Sequence, residues 1–203
     1  EPKEPYALLI KKYLSFIAAA QRSDGTFANI INEQKKPDAT VSGDVQGRAL
    51  WTLGFITAQK SLPPDIITEA ERILLKALPA ITALTAPRAI AFSIIGLYYY
   101  FTATERPELL TLIKKFADIQ VQFYKNTASK NWRWFETQLS YSNSKIPESL
   151  WYAYAATGKK VYRDIAETSL AFLADITYKN NRFVPIGQHG WFTKNKKRAY
   201  FDQ

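Results

Sequence analysis

The chain has 203 residues, 47% apolar and 22% charged, a balance that suits a folded globular protein and excludes an intrinsically disordered one. Aromatic residues reach 14% and the net charge is +9. With no Cys, the chain can hold no disulfide, thiol nucleophile or thiolate metal site.

Tyr6, Leu9, Ile10, Tyr13, Leu14 and Ile17 recur with helical spacing, so the first element is an amphipathic helix with Lys11, Lys12 and Ser15 outside. Ser23-Asp24-Gly25 ends it in a turn. Thr26–Ile31 reads as a short extended piece, and Gln34–Thr40 as a polar loop. Ser42 or Asp44 then caps a helix over Val45–Ala58 that is apolar nearly all round and therefore expected to be buried. Pro63-Pro64-Asp65 restarts the chain into a one-faced helix through Ile66, Ala70, Ile73, Leu74, Ala77 and Ile81. Pro87 opens a second all-apolar helix, Arg88–Ala103, and Pro107 a one-faced helix through Leu109, Leu112, Ile113, Phe116 and Phe123. The longest apolar run, Ala89–Ala103, is interrupted by Ser93 and Thr102 and falls short of the ~18–20 residues that span a bilayer.

The next stretch, Asn131–Trp151 (NWRWFETQLSYSNSKIPESLW), is the richest in the chain. It sets three Trp, a Phe, a Tyr, two carboxylates and several amides and hydroxyls mostly in a loop, ahead of a short helix with Pro147 in its first turn and Gly158 at its end. Side chains of this kind stack on sugar rings and hydrogen-bond their hydroxyls. Tyr162, Ile165, Ala166, Ser169, Phe172, Leu173 and Ile176 mark one more amphipathic helix. Asn180–Gln203 reads as loop with at most short strands.

One-faced and all-apolar helices thus alternate, and the one-faced helices start at intervals of roughly 45–60 residues, as in stacked helical hairpins. The long polar connections, Asp24–Gly43, Ser129–Lys145 and Asn180–Gln203, fall at the same step of each repeat, so they gather on one face, where ligands usually bind. The positive charge is scattered in Lys pairs, and only Lys194–Arg198 (KNKKR) is dense. This argues for a solvated surface and against a dedicated nucleic-acid reader, with an anionic partner or sugar phosphates as the alternative. No GxGxxG or GxxxxGK pattern occurs, so no nucleotide-sugar site is expected. No signal peptide is present and a cytoplasmic protein is expected, although an opening Glu1 is also what removal of a leader or trimming leaves.

The segments SGDVQGRALWTLG (42–54), APRAIAF (86–92), NWRWFETQLSYSNSKIPESL (131–150) and FVPIGQHGWF…FDQ (183–203) are similar to a bacterial glycosyltransferase-associated family. Its members occur as separate chains or fused after a group 1 (retaining) glycosyltransferase domain. The resemblance implies an all-α fold of alternating inner and outer hairpins, part of an (α/α)6 toroid of the six-hairpin glycosidase type, with about seven helices here. In the family pattern another hairpin precedes Glu1 and FDQ runs into further helices. The chain is therefore expected to be a single toroid domain that is part of a longer one, with inner-helix surface left uncovered and open to self-association. It departs from the family at Ser144-Lys145-Ile146, where members carry Asn and Ala.

Three carboxylates from three long loops are the catalytic candidates: Glu136, Asp44 and Asp202. Glu136 lies beside aromatics that would desolvate it as a general acid requires; Asp44 lies at a helix start, and Asp202 would by the resemblance lie at the next one. Glycoside hydrolysis needs two carboxylates, ~5–5.5 Å apart for retention and ~6.5–9.5 Å for inversion. Capping or pairing with Arg is the alternative for each. Trp132, Trp134, Tyr141 and Trp191 are candidate stacking rings, with core packing as the alternative, while Trp51 and Trp151, inside helices, are expected in the core. Asn143, Arg48 and Arg88 are further candidates for substrate contact, the arginines either through an acidic sugar or tied to Asp44 or Glu136. His189, the single His, would touch ligand or serve as acid/base in an epimerase. No metal ligand spacing occurs and no cofactor is expected. The expected function is therefore carbohydrate binding in a loop-face cleft, with hydrolysis or lysis beside a glycosyltransferase, or binding alone as its scaffold partner.

Overall fold

The structure, a computed structural model, describes residues 4–34, 36, 38 and 40–200. Seven helices are present among them: α1 (Glu4–Ala20), α2 (Gly43–Thr57), α3 (Pro64–Ile81), α4 (Pro87–Thr104), α5 (Pro107–Thr127), α6 (Lys145–Thr157) and α7 (Lys160–Thr177). Four two-residue strands follow the pattern of short pieces in the long loops: β1 (Gln138–Leu139), β2 (Tyr178–Lys179), β3 (Arg182–Phe183) and β4 (Phe192–Thr193). Proline opens α3, α4 and α5, where its missing N–H costs no hydrogen bond. Ser42 is the N-cap of α2, in extended conformation and without a side-chain cap bond. Gly158 ends α6 at φ 69°, the left-handed cap that glycine takes without strain.

The chain divides into two compact units, Glu1–Ile113 and Lys114–Gln203. In the first, α2 packs against both α3 and α4, and α1 against α3. The α2–α4 contact is backbone to backbone. A Cβ on Gly54 would stand 2.0 Å from the Gly96 carbonyl oxygen, one on Gly96 2.4 Å from that of Leu50, and one on Gly47 2.4 Å from that of Ala89. Residues 88–97 of α4 are all buried, as a helix apolar on every side should be. The polar loop 21–40 is tied down by amides and one carboxylate. Gln21 Nε2 donates to the Ile73 carbonyl (2.8 Å), and Asp38 Oδ1 accepts the N–H groups of Asn29 (3.1 Å) and Ile30 (3.2 Å). Arg22 donates to the Asp38 and Thr40 carbonyls.

In the second unit α6 and α7 form a helical hairpin. β2 and β3 are joined by Asn180-Asn181, both at positive φ (50° and 61°), the type I′ geometry that matches strand twist and that Asn tolerates. β1 pairs with β4, so the loop ahead of α6 and the C-terminal loop are stitched together.

Three expectations are corrected. Tyr6, Leu9 and Tyr13 do not face inward: they form with Phe16 an exposed stripe on α1, while Leu14 is buried and Ile10 and Ile17 are partly covered. The helix carries two apolar stripes, and hydrophobic periodicity cannot say which one the fold covers. Phe55, on the supposedly buried α2, is exposed and lies edge-on to Tyr99. Trp151 is 36% exposed rather than core, leaning on Tyr154.

Candidate functional site

In the first unit the helix-start candidates form a short charged and aromatic line. Asp44, in the first turn of α2, accepts a hydrogen bond from Arg48 Nε at 2.7 Å, one helical turn on. The Arg48 guanidinium stands 4.4 Å from the centroid of the Phe92 ring, and Trp51 stacks on the same ring at 5.5 Å and 6°. Arg48 therefore takes the structural option, tied to Asp44 and to an aromatic face. Trp51 is only half-buried, and Arg88 is buried in α4.

In the second unit the segment Asn131–Ser144 folds back on itself. Trp132 Nε1 donates to the Glu136 carbonyl at 2.7 Å, and its ring meets Phe172 and Phe192 edge-on at 5.4 and 5.3 Å. Trp134 is 0% exposed and edge-on to Phe135. Of the two readings open for these candidate stacking rings, burial favours core packing: Trp132 and Trp134 are 4% and 0% exposed. Burying an aromatic ring removes about 150–250 Å² from water, worth about 4–6 kcal/mol at roughly 25 cal/mol/Å². The Trp134 N–H finds no acceptor among the described residues, at a cost of about 1–3 kcal/mol, so burial wins. Between these rings Arg133 points out, bonds Asp175 at 2.9 Å and lies 5.7 Å from the Phe172 centroid. Glu136 is half-buried on the same loop, so its carboxyl keeps some access to solvent.

Asn143 acts on the backbone. Its Nδ2 donates to the Ser140 carbonyl (2.9 Å) and its Oδ1 accepts the Ser140 N–H (3.0 Å), closing the loop ahead of α6. Tyr141 stays on the surface. His189 is exposed and makes no hydrogen bond with a described residue; Trp191 is half-buried at φ 52°, an uncommon conformation for a bulky residue. Gly187 donates to the Ala199 carbonyl (3.0 Å) and Ala199 to that of Trp191 (2.8 Å), which gathers the C-terminal loop into a closed lobe. Asp202 lies outside the described residues.

What these ties create is a recess of about 310 Å³ lined by Ser140, Ser142, Asn143, Ser144, Leu173, Thr177, Phe183, Pro185 and Ile186. Among the described residues, none of the Ser140, Ser142 and Ser144 hydroxyls forms a side-chain hydrogen bond, whereas Thr177 is spent on the Leu173 carbonyl at 2.8 Å. Phe183 stands at the rim, 66% exposed. Three unspent hydroxyls over an apolar floor, beside an exposed ring, can hold a small polyhydroxylated ligand. Among the described residues no carboxylate lines this recess. Sequence reasoning named Asn143 but not the serines, Thr177 or Phe183. The signal present was the serine run Ser140-x-Ser142-x-Ser144, which composition alone presents as ordinary loop. Among the described residues no group of three His, Asp or Glu could hold a metal ion, and no helix is long and apolar enough to cross a membrane.

No family model matches the sequence, and no curated protein matches it. Among solved structures, the chain is similar to the crystal structure of an unsaturated glucuronyl hydrolase specific for heparin, with a TM-score of 0.62, 14% identity and 95% of this chain covered. The fold is that of an (α/α) toroid. The chain spans 58% of the length of that structure. The glycosyltransferase-associated family suggested by the sequence motifs gains no support from these comparisons, and at 14% identity the likeness shows the fold alone.

Proposed function

We propose that this chain is the glycan-binding part of a toroid protein, with the recess between the Ser140–Ser144 loop and β3 holding a sugar ring. The observation that carries the reading is that three serines with no side-chain hydrogen bond among the described residues line one recess with Leu173, Phe183, Pro185 and Ile186. Such a pocket satisfies ring hydroxyls by hydrogen bonds, while Phe183 at the rim stacks on the C–H face of the sugar. Asn143 positions the loop, and Tyr141 and Trp191 extend the contact surface beyond the recess. The test is a glycan-array screen followed by calorimetry on any hit. Phe183→Ala and Ser142→Ala should each weaken binding by about tenfold, the worth of one stacking or hydrogen-bond contact. Unchanged affinity in both would overturn the reading.

Hydrolysis is the second reading, favoured by the hydrolase fold neighbour. Glu136 would then be the general acid, with Asp202 as the second carboxylate that the chemistry requires. Product analysis on the glycan that binds decides it. Glu136→Gln should abolish turnover while sparing affinity, whereas a glycan bound but never cleaved leaves the chain as a binding module. In either form, a glycosyltransferase on the same or a separate chain in the cytoplasm would be the natural partner, supplying or extending the bound glycan.

A further inference from the structure

Between Ile176 and Tyr200 the chain carries six cations, Lys179, Arg182, Lys194, Lys196, Lys197 and Arg198, and no Asp or Glu. None of the six forms an ion pair among the described residues. The carboxylates of the second unit that do pair are taken by Arg133, Lys145, Lys159 and Arg163. The charge is concentrated on a concavity. A groove of about 800 Å³ is lined by Ile176, Val184 and Phe192, with Lys179, Lys197, Arg198 and Tyr200.

Arg198 is built into its wall. The guanidinium donates to the carbonyls of Ile176, Val184 and Pro185 and lies 5.5 Å from the Tyr200 ring centroid, while its Nε is buried without an acceptor. All of its partners among the described residues are neutral, so these hydrogen bonds hold the charge in place without neutralising it. A fixed cation with neutral partners and low-dielectric walls focuses positive potential into the groove. Lys179 and Lys197, both exposed, add charge at its edge. Lys194 does not line the groove; its Nζ donates to the Thr127 carbonyl at 2.8 Å.

We infer that this groove is a binding site for the acidic groups of a glycan, carboxylate or sulfate, separate from the neutral sugar recess on the other side of the β2–β3 hairpin. The inference rests on the glycan reading above and names the substrate class. A nucleic acid fits less well. A single strand needs a row of stacking rings, and among the described lining residues Phe192 is spent on Trp132, which leaves Tyr200 as the open ring.

The probe is a galacturonate hexamer, titrated calorimetrically at low salt beside its methyl-esterified, uncharged form and a single-stranded oligonucleotide of equal charge. Lys179→Gln with Lys197→Gln removes two exposed charges that hold no hydrogen bond, so the melting temperature should not change. The expected result is that the acid hexamer binds, the double variant binds it about tenfold less well, and raising salt narrows the gap as screening predicts. The methyl ester should be unaffected by the double variant. Equal binding of the acid hexamer by variant and wild type, or no binding of it by the wild type, overturns the groove. Tighter binding of the oligonucleotide, lost in the same variant, overturns it in favour of nucleic acid. Binding of the acid hexamer with none of any neutral glycan keeps the groove and overturns the recess.

Discussion

The side-chain amide of Gln46 pairs with the backbone of Phe27 as a neighbouring strand would, Oε1 accepting its N–H at 2.7 Å and Nε2 donating to its carbonyl at 2.8 Å. Gln46 lies on the helix that forms the centre of the first unit, and Phe27 sits in the loop between α1 and α2, so this pair seats an irregular loop on a regular element. Both groups are buried, where an unmet backbone N–H or carbonyl costs about 1–3 kcal/mol. Gln46→Leu keeps the volume and removes both bonds, and should destabilise the protein by about 3 kcal/mol in denaturant titration.

Gly54→Ala and Gly96→Ala should each cost about 3 kcal/mol or more, because the added methyl meets backbone that cannot swing aside. Gly43→Ala is the control. Its Cβ would meet the Ala89 and Leu84 side chains at 3.4 and 3.5 Å, ordinary packing, and the stability should change by less than about 1 kcal/mol. Thermal melts of the three variants check both halves.

Two buried tyrosines give the fold an alkaline limit. Burial, and then the hydrogen bond to a carboxylate, pushes the hydroxyls of Tyr100 and Tyr162 up from their ordinary value; the partners are Glu71 at 2.7 Å and Asp118 at 2.6 Å. A raised folded-state value means that the folded protein holds these protons more tightly. Their contribution is whole below the unfolded tyrosine value near pH 10 and is lost as pH rises above it. Melting temperature should therefore fall as pH rises above about 10, and Tyr100→Phe with Tyr162→Phe should flatten that fall.

At the acid end, Asp38 works in the opposite sense. The Thr40 hydroxyl, and then the N–H groups of Ile30 and Asn29, hold its carboxyl below the usual range. Its stabilisation of loop 29–40 is present above the ordinary carboxylate value and is lost as pH falls through the lower folded one. Amide exchange of Asn29 and Ile30 should quicken there, ahead of global unfolding, and Asp38→Asn should quicken it at neutral pH.

Trp132→Ala should cost about 3–5 kcal/mol, since the ring is wedged against Phe172 and Phe192, whereas Tyr141→Ala should leave stability within about 1 kcal/mol and weaken glycan binding. Denaturation beside calorimetry separates the two roles that sequence composition had merged.

That merging marks where the sequence stops being legible. The one-faced helices α1, α3, α5 and α7 showed in their period, because periodicity reports local geometry directly, while α2, α4 and α6 showed in apolar runs bounded by Ser42, Pro87, Pro147 and Gly158. Trp132 and Tyr141 are both aromatics in one polar loop, and only the tertiary fold says that one turns in and the other out. The exposed stripe of α1 is as apolar as the covered one. The recess was hidden for a different reason: Ser142, Thr177 and Phe183 come from separate segments, brought together by the β1–β4 pairing and the Asn180-Asn181 turn. Arg88, a charge within an apolar helix, reads as needing a partner, whereas Gln46, an amide on the other apolar helix, passes unread although it is buried too.

The contact between Gly54 and Gly96 also bears on inheritance. Every single-residue change at either position adds a side chain where no atom fits, and the opposite position cannot compensate, being already the smallest residue there is. Drift can therefore remodel the loops and the recess they build, while the register of α2 on α4 passes unchanged from one generation of the gene to the next.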